Sequence, residues 1–132
     1  MRTSKTVTAI AVALMLLIGL IHFIDARDAL GDAQYKGILF LANGLGSLLA
    51  AMGIVCAARS WGWGLGLLIS VSTFIAYILS RTVGLPGLPA EPGKWFEPLG
   101  IASFAAEGAF ALLAVWVLRS KSAERPAEAR VG

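Results

Sequence analysis

Residues 37–58 read GILFLANGLGSLLAAMGIVCAA, an apolar run with no charged side chain from end to end. A helix needs about 20 such residues to cross a hydrocarbon core of about 30 Å, so this run predicts one membrane crossing. Working outward, three more runs of the same kind appear: Val7–Ile24 before it, then Trp61–Ser80 and Leu99–Leu118. Charged or Pro/Gly-rich gaps separate them, and Glu107 is the one acidic side chain deep inside any of them. Hydrophobic residues make up 58% of the chain and charged ones 14%, against roughly 45–50% and about 25% in soluble domains. The sequence therefore predicts an all-α integral membrane four-helix bundle over residues 1–119. Residues 120–132, charged, Ala-rich and interrupted by Pro126, read as a disordered cytoplasmic tail.

The formal charge of +3 is spread in a way that excludes nucleic-acid binding. Basic residues gather at the ends of the apolar runs, as the positive-inside rule produces at a cytoplasmic face. With the amino terminus inside, seven Lys/Arg lie inside (Arg2, Lys5, Arg59, Arg119, Lys121, Arg125, Arg130) and four outside (Arg27, Lys36, Arg81, Lys94). The expected topology is thus N-in/C-in, as a multi-pass protein of the bacterial cytoplasmic (inner) membrane. Trp61, Trp63 and Trp116 read as aromatic anchors at the inner edge, Tyr35 and Trp95 at the outer. The first run is longer than a signal-peptide core and lacks a small-x-small cleavage site, which makes it a retained helix. Cys56 is the single cysteine and reads as a small core residue. One cysteine permits no intramolecular disulfide and excludes the membrane thiol oxidoreductases, which need Cys pairs.

The short gap from Ala57 to Ser60 makes the second and third helices an antiparallel hairpin. Small residues four apart (Ala9 and Ala13, Gly46 and Ala50, Gly62 and Gly66, Ala102 and Ala106) allow close helix packing in lipid. The outer loop, Arg81–Pro98, holds four prolines and three glycines, which forbids a continuing helix. It also carries Val83, Leu85, Leu88, Trp95 and Phe96. A loop both stiff and apolar is expected to fold back over the bundle mouth as a lid or docking surface. Pro98 suits the first turn of the fourth helix, where its missing N–H costs nothing.

Polar side chains inside the runs are few and fall on single helical faces. Ser70, Thr73, Tyr77 and Arg81 line one face of the third helix; Asn43 and Ser47 share a face of the second; Ser103 and Glu107 share a face of the fourth, with Gly100 above them. His22 and Asp25 end the first, with Met15 below on the same side. At 1.5 Å per residue His22, Asn43, Tyr77 and Glu107 fall in the outer half of the membrane. A carboxylate as deep as Glu107 costs at least about 2.5–3.5 kcal/mol on insertion scales, so it must be paired, solvated or protonated. Arg81 and Tyr77 are the expected partners if its role is structural. His22, Asp25 and Glu107 are the candidate metal ligands, since a His and an Asp three apart at a helix end face the same side.

The segment Ser80-Arg-Thr-Val-Gly-Leu-Pro-Gly87, followed by Trp95-Phe-Glu-Pro-Leu-Gly100 and then Glu107, resembles a set of small uncharacterised four-helix bacterial membrane proteins. The resemblance spans roughly residues 20–110. It implies a four-helix fold and singles out His22, Arg81, Glu97, Pro98 and Glu107, and it brings no activity. After His22 this chain has Asp-Ala-Arg-Asp in place of the Pro- and Glu-containing stretch of that pattern.

The functional expectation is a binding protein without turnover of its own. Its pocket would be formed by His22, Asn43, Tyr77, Arg81 and Glu107, with the 81–98 loop as lid. The candidate occupants are a metal ion, a quinone-like or haem-like cofactor, or a partner subunit. Beyond the lipid bilayer, a homo-oligomer or a larger membrane complex is expected, because four helices leave most residues facing outward. The rival reading is a proton- or cation-coupled transporter with Glu107 as carrier. Small multidrug exporters do not fit, since their carboxylate lies in the first helix. An enzyme ranks last, for no Ser/His/Asp or metal-hydrolase motif is present.

Overall fold

The computed structural model describes residues 3–56 and 60–131, with side chains through residue 122. Four α-helices make up the fold: α1 (Lys5–Asp32), α2 (Gln34–Val55), α3 (Ser60–Thr82) and α4 (Pro98–Val131). Each is long and apolar enough to cross a membrane, so the molecule is an all-α, multi-pass membrane bundle. Around it the order is α1–α2–α3–α4, with α4 closing back on α1.

Helix α1 runs further than its hydropathy. Residues 25–32, expected in an outer loop, continue it for two more turns, because nothing between Asp25 and Asp32 breaks a helix and Ala26 and Ala29 stay buried on the face of Ile18 and His22. Ser4 caps its start, the hydroxyl accepting from the Val7 N–H at 3.1 Å. One extended residue, Ala33, turns the chain into α2. Gly37 permits that tight corner, since a Cβ there would overlap the Leu30 side chain.

Helices α2 and α3 pair antiparallel through a glycine contact. A Cβ on Gly62 would lie 2.6 Å from the backbone of Gly53 and Ile54. This is the backbone approach that packing in lipid exploits. The expected hairpin connection itself, with Arg59, lies outside the described residues, as does Arg2. Ala9 and Ala13 face outward, whereas Ala11, Met15 and Ile18 enter the core. Trp63, expected at the inner interface, is instead fully buried and stacked on Phe110 with ring centroids 5.9 Å apart. Gly62 beside it and Gly66 one turn on are buried on the same inward face, while Trp61 and Trp116 are the half-exposed pair. Cys56 is exposed at the end of α2, not in the core, because the close α2–α3 approach is made by Gly53.

Helix α3 stops at a left-handed glycine. Gly84, at φ +90°, returns its N–H to the Leu79 carbonyl at 2.7 Å. Leu85 and Leu88 then exchange backbone hydrogen bonds across Pro86–Gly87, with Gly87 at φ +73°. Proline followed by a left-handed glycine is the pattern of a type II turn. A 3₁₀ turn, Pro92–Lys94, leads to α4, which has Pro98 in its first turn as expected. The backbone of α4 continues as helix to Val131. It thus passes through the stretch expected to be disordered, where Ala, Glu, Lys and Arg are all strong helix formers.

Candidate functional site

The contacts between helices set which polar residues meet. On the α3–α4 seam, Phe74 stacks on Phe104 at 4.2 Å and a Cβ on Gly108 would touch Phe74, while Gly66 faces Phe110 one layer lower. Ser70 lies midway between Gly66 and Phe74 on α3, and Glu107 midway between Phe104 and Phe110 on α4. The two are level with each other. On the α1–α2 seam, Gly19 faces Ser47 and Phe23 faces Gly44. Each helix buries a small polar set: His22 on α1, Asn43 and Ser47 on α2, Ser70 on α3, Ser103 and Glu107 on α4.

Glu107 is only 1% exposed. Its Oε1 accepts a hydrogen bond from the Ser103 hydroxyl at 2.7 Å and lies 4.0 Å from His22 Nε2. Its Oε2 is buried with no hydrogen-bond partner among the described residues. His22 Nδ1 is 2.8 Å from the Ile18 carbonyl oxygen. A carbonyl only accepts, so Nδ1 must carry the proton and donate. A neutral His22 then turns the bare lone pair of Nε2 towards the carboxylate. Two buried lone-pair atoms face each other, an arrangement that calls for a proton or a cation on the pair.

A second set bridges α2 and α3. The Asn43 amide donates to Thr73 Oγ1 at 2.8 Å, the Ser47 hydroxyl donates to Asn43 Oδ1 at 3.2 Å, and Thr73 donates to the Ile69 carbonyl. Of the three bonds, Asn43 to Thr73 crosses between the helices, and the other two stay within α2 and within α3.

The third set is at the mouth. The Tyr77 hydroxyl donates to the Trp95 carbonyl at 2.6 Å, and its ring meets those of Trp95 and Phe104. The Arg81 guanidinium lies 4.3 Å from the Tyr77 ring centroid. It donates to Ser80 Oγ and the Lys94 carbonyl and pairs with Glu97 at 3.4 Å. From the far side, Tyr35 donates to the Pro86 carbonyl at 2.6 Å. The loop between α3 and α4 is thus pinned from two helices. Leu85, Leu88 and Trp95 turn partly inward, whereas Val83 and Phe96 remain 76% and 85% exposed.

The five residues expected to share one pocket are therefore divided. His22 and Glu107 meet in the core, Asn43 ties α2 to α3, and Tyr77 and Arg81 hold the loop. The expected partnership of Glu107 with Arg81 or Tyr77 is not formed, because the aromatic register of α3 on α4 leaves Arg81 paired with Glu97, nearly three turns above Glu107. The metal trio is not assembled either. Among the described residues no three His, Cys, Asp or Glu gather around a common point. Asp25 sits one turn nearer the mouth, within electrostatic range of Glu97, Asp28 and Lys36 as well as His22. Nor would zinc suit the pair, since two ligands about 2.0–2.1 Å from a tetrahedral zinc lie about 3.4 Å apart. Two surface cavities, of about 230 and 340 Å³, open at opposite ends of the bundle and are lined by none of the five. Ser103 and Ser70, left out of the expected pocket, belong to the buried polar sets. Their four-residue spacing from Glu107 and from Gly66 was the available signal.

No protein-family model matches this chain, and neither does any curated protein or solved structure. The site is interpreted from its own chemistry.

Proposed function

We propose that this chain is a small binding protein of the bacterial cytoplasmic membrane whose Glu107–His22 pair holds an exchangeable proton in the outer half of the bundle. The carrying observation is the approach of Nε2 to Oε1 at 4.0 Å, with Nδ1 committed to the Ile18 carbonyl. A carboxylate and a neutral imidazole have no proton to share in that geometry, and lipid offers none. Neither surface cavity is lined by His22 or Glu107, which favours a proton over a quinone-like or haem-like occupant. The positive-inside bias supports both termini in the cytoplasm. The outward-facing apolar surface of all four helices supports assembly as a homo-oligomer or as an accessory subunit of a larger complex.

His22 is the chain's single histidine, so its imidazole ¹⁵N signals test the reading directly. In lipid nanodiscs the wild type is expected to give an Nδ1–H imidazole whose signals change with pH, and Glu107→Gln to alter that pH dependence. An imidazole indifferent to the Glu107 substitution would remove the proposal.

One observation favours the transporter reading in which Glu107 carries a proton or cation across. Deeper than Glu107, the indole N–H of Trp63 is buried with no hydrogen-bond partner among the described residues, a polar group in the half of the bundle whose helices read as mostly apolar. Under that reading, wild-type proteoliposomes dissipate an imposed pH gradient and Glu107→Gln proteoliposomes do not. Equal dissipation by both returns the protein to static binding.

A further inference from the structure

Two buried polar atoms at one level of the bundle have no hydrogen-bond partner among the described residues: Glu107 Oε2 and Ser70 Oγ. Both residues are essentially inaccessible, at 1% and 0% exposure. Leaving such atoms unpaired in an apolar interior is costly, and a carboxylate oxygen is the costlier of the two. They sit on facing helices, with α4 turned so that Oε1 of the same carboxylate is already used by Ser103. The donors left over are thus one carboxylate oxygen and one hydroxyl oxygen, with one formal negative charge between them.

From this we infer that the layer is a binding site for a small monovalent cation of the sodium type, ligated by Glu107 Oε2 and Ser70 Oγ, in competition with the proton. The inference rests on the proton reading above and names the second occupant of the same carboxylate. Hard oxygen donors without a thiolate select alkali or alkaline-earth ions over softer metals. A single carboxylate neutralises one positive charge, and a divalent ion would leave one charge uncompensated in lipid. Exclusion follows from the same sum. With the cation on Oε2, His22 stays neutral and directs its Nε2 lone pair at the pair; with the cation gone, the proton returns.

The titratable and charged groups facing Glu107 are few. His22 comes from α1, with Asp25 one turn above it; from α3 there are Tyr77 and Arg81 near the mouth, both engaged by the loop. Helix α2 offers Asn43 and Ser47, its titratable Tyr35 and Lys36 lying at its outer end.

The test uses the full chain in nanodiscs, in weakly buffered choline chloride with a pH indicator. Sodium chloride then replaces choline chloride at constant ionic strength. The expected result is a saturable release of up to one proton per chain, absent in Glu107→Gln. In Ser70→Ala half-release should need about tenfold more sodium, while the His22 ¹⁵N titration is retained. Ser70→Ala also keeps the test decisive if Glu107→Gln does not fold. Release that is undiminished in Ser70→Ala, or no sodium-specific release at all, overturns the cation site. If the His22 titration still responds to Glu107 in that case, the proton reading stands alone; if it does not, both fall.

Discussion

Among the described residues, two acid–base pairs join positions far apart in the chain, and they differ in burial far more than in distance. At the mouth, Arg81 and Glu97 approach to 3.4 Å, but the Glu97 side chain is 55% exposed. In the core, His22 and Glu107 stand 4.0 Å apart with side chains 6% and 1% exposed. Water and salt screen the first pair, which fastens a loop already held by Tyr77, Tyr35 and the Glu91–Ser80 backbone bond. The second pair has no screening, and its protonation is set by the two groups and their few neighbours. Proximity identifies a fastening; seclusion identifies a site whose charge state matters.

The contrast breaks most readily at His22. His22→Ala leaves Glu107 buried without a base, and the loss of a buried partner costs about 3 kcal/mol. Unfolding of the purified protein in mixed micelles measures it, and a loss as small as that of a surface substitution would place the two pairs on the same footing. Gly62→Ala probes packing and not charge. Its Cβ meets the Gly53 and Ile54 backbone at 2.6 Å, and backbone cannot swing aside, so a loss of about 2 kcal/mol is expected in the same assay. Asn43→Ala removes an interhelical hydrogen bond, worth about 0.6 kcal/mol on average in membrane bundles. Glu97→Gln should cost least, about 0.5 kcal/mol or below, and added salt should erase the difference. A Glu97→Gln loss that persists in high salt would show that the mouth pair is as secluded as the core pair.

Much of the fold was legible because lipid imposes it. Hydropathy places the four crossings, since an apolar run of the right length in a bilayer can only be a helix. It does not place their ends: residues 25–32 look like a loop to a hydropathy count, yet Ala26 and Ala29 carry the α1 face beyond the apolar boundary. Helical spacing also identified which side chains point inward, including Asn43, Ser70, Ser103 and Glu107. Partners are another matter. Whether Glu107 faces Arg81 or His22 depends on the axial register of α4 against α3 and α1, which is fixed by Phe74 on Phe104 and Gly66 on Phe110. A spacing of three or four along one helix is silent on that register. The same ambiguity merged three separate polar sets into one expected pocket. The Arg81–Glu97 contact is different, since chain proximity across the loop does there the work that register does elsewhere.

The central claim is that Glu107 answers to His22 and not to Arg81, and a double-mutant cycle measures that most directly. Unfolding free energies of wild type, His22→Ala, Glu107→Gln and the double variant give the coupling of the core pair; a parallel cycle with Arg81→Ala gives the alternative. The expected result is a coupling of about 1–3 kcal/mol between His22 and Glu107 and near zero between Arg81 and Glu107. A coupling carried by Arg81, with none at His22, would contradict the account.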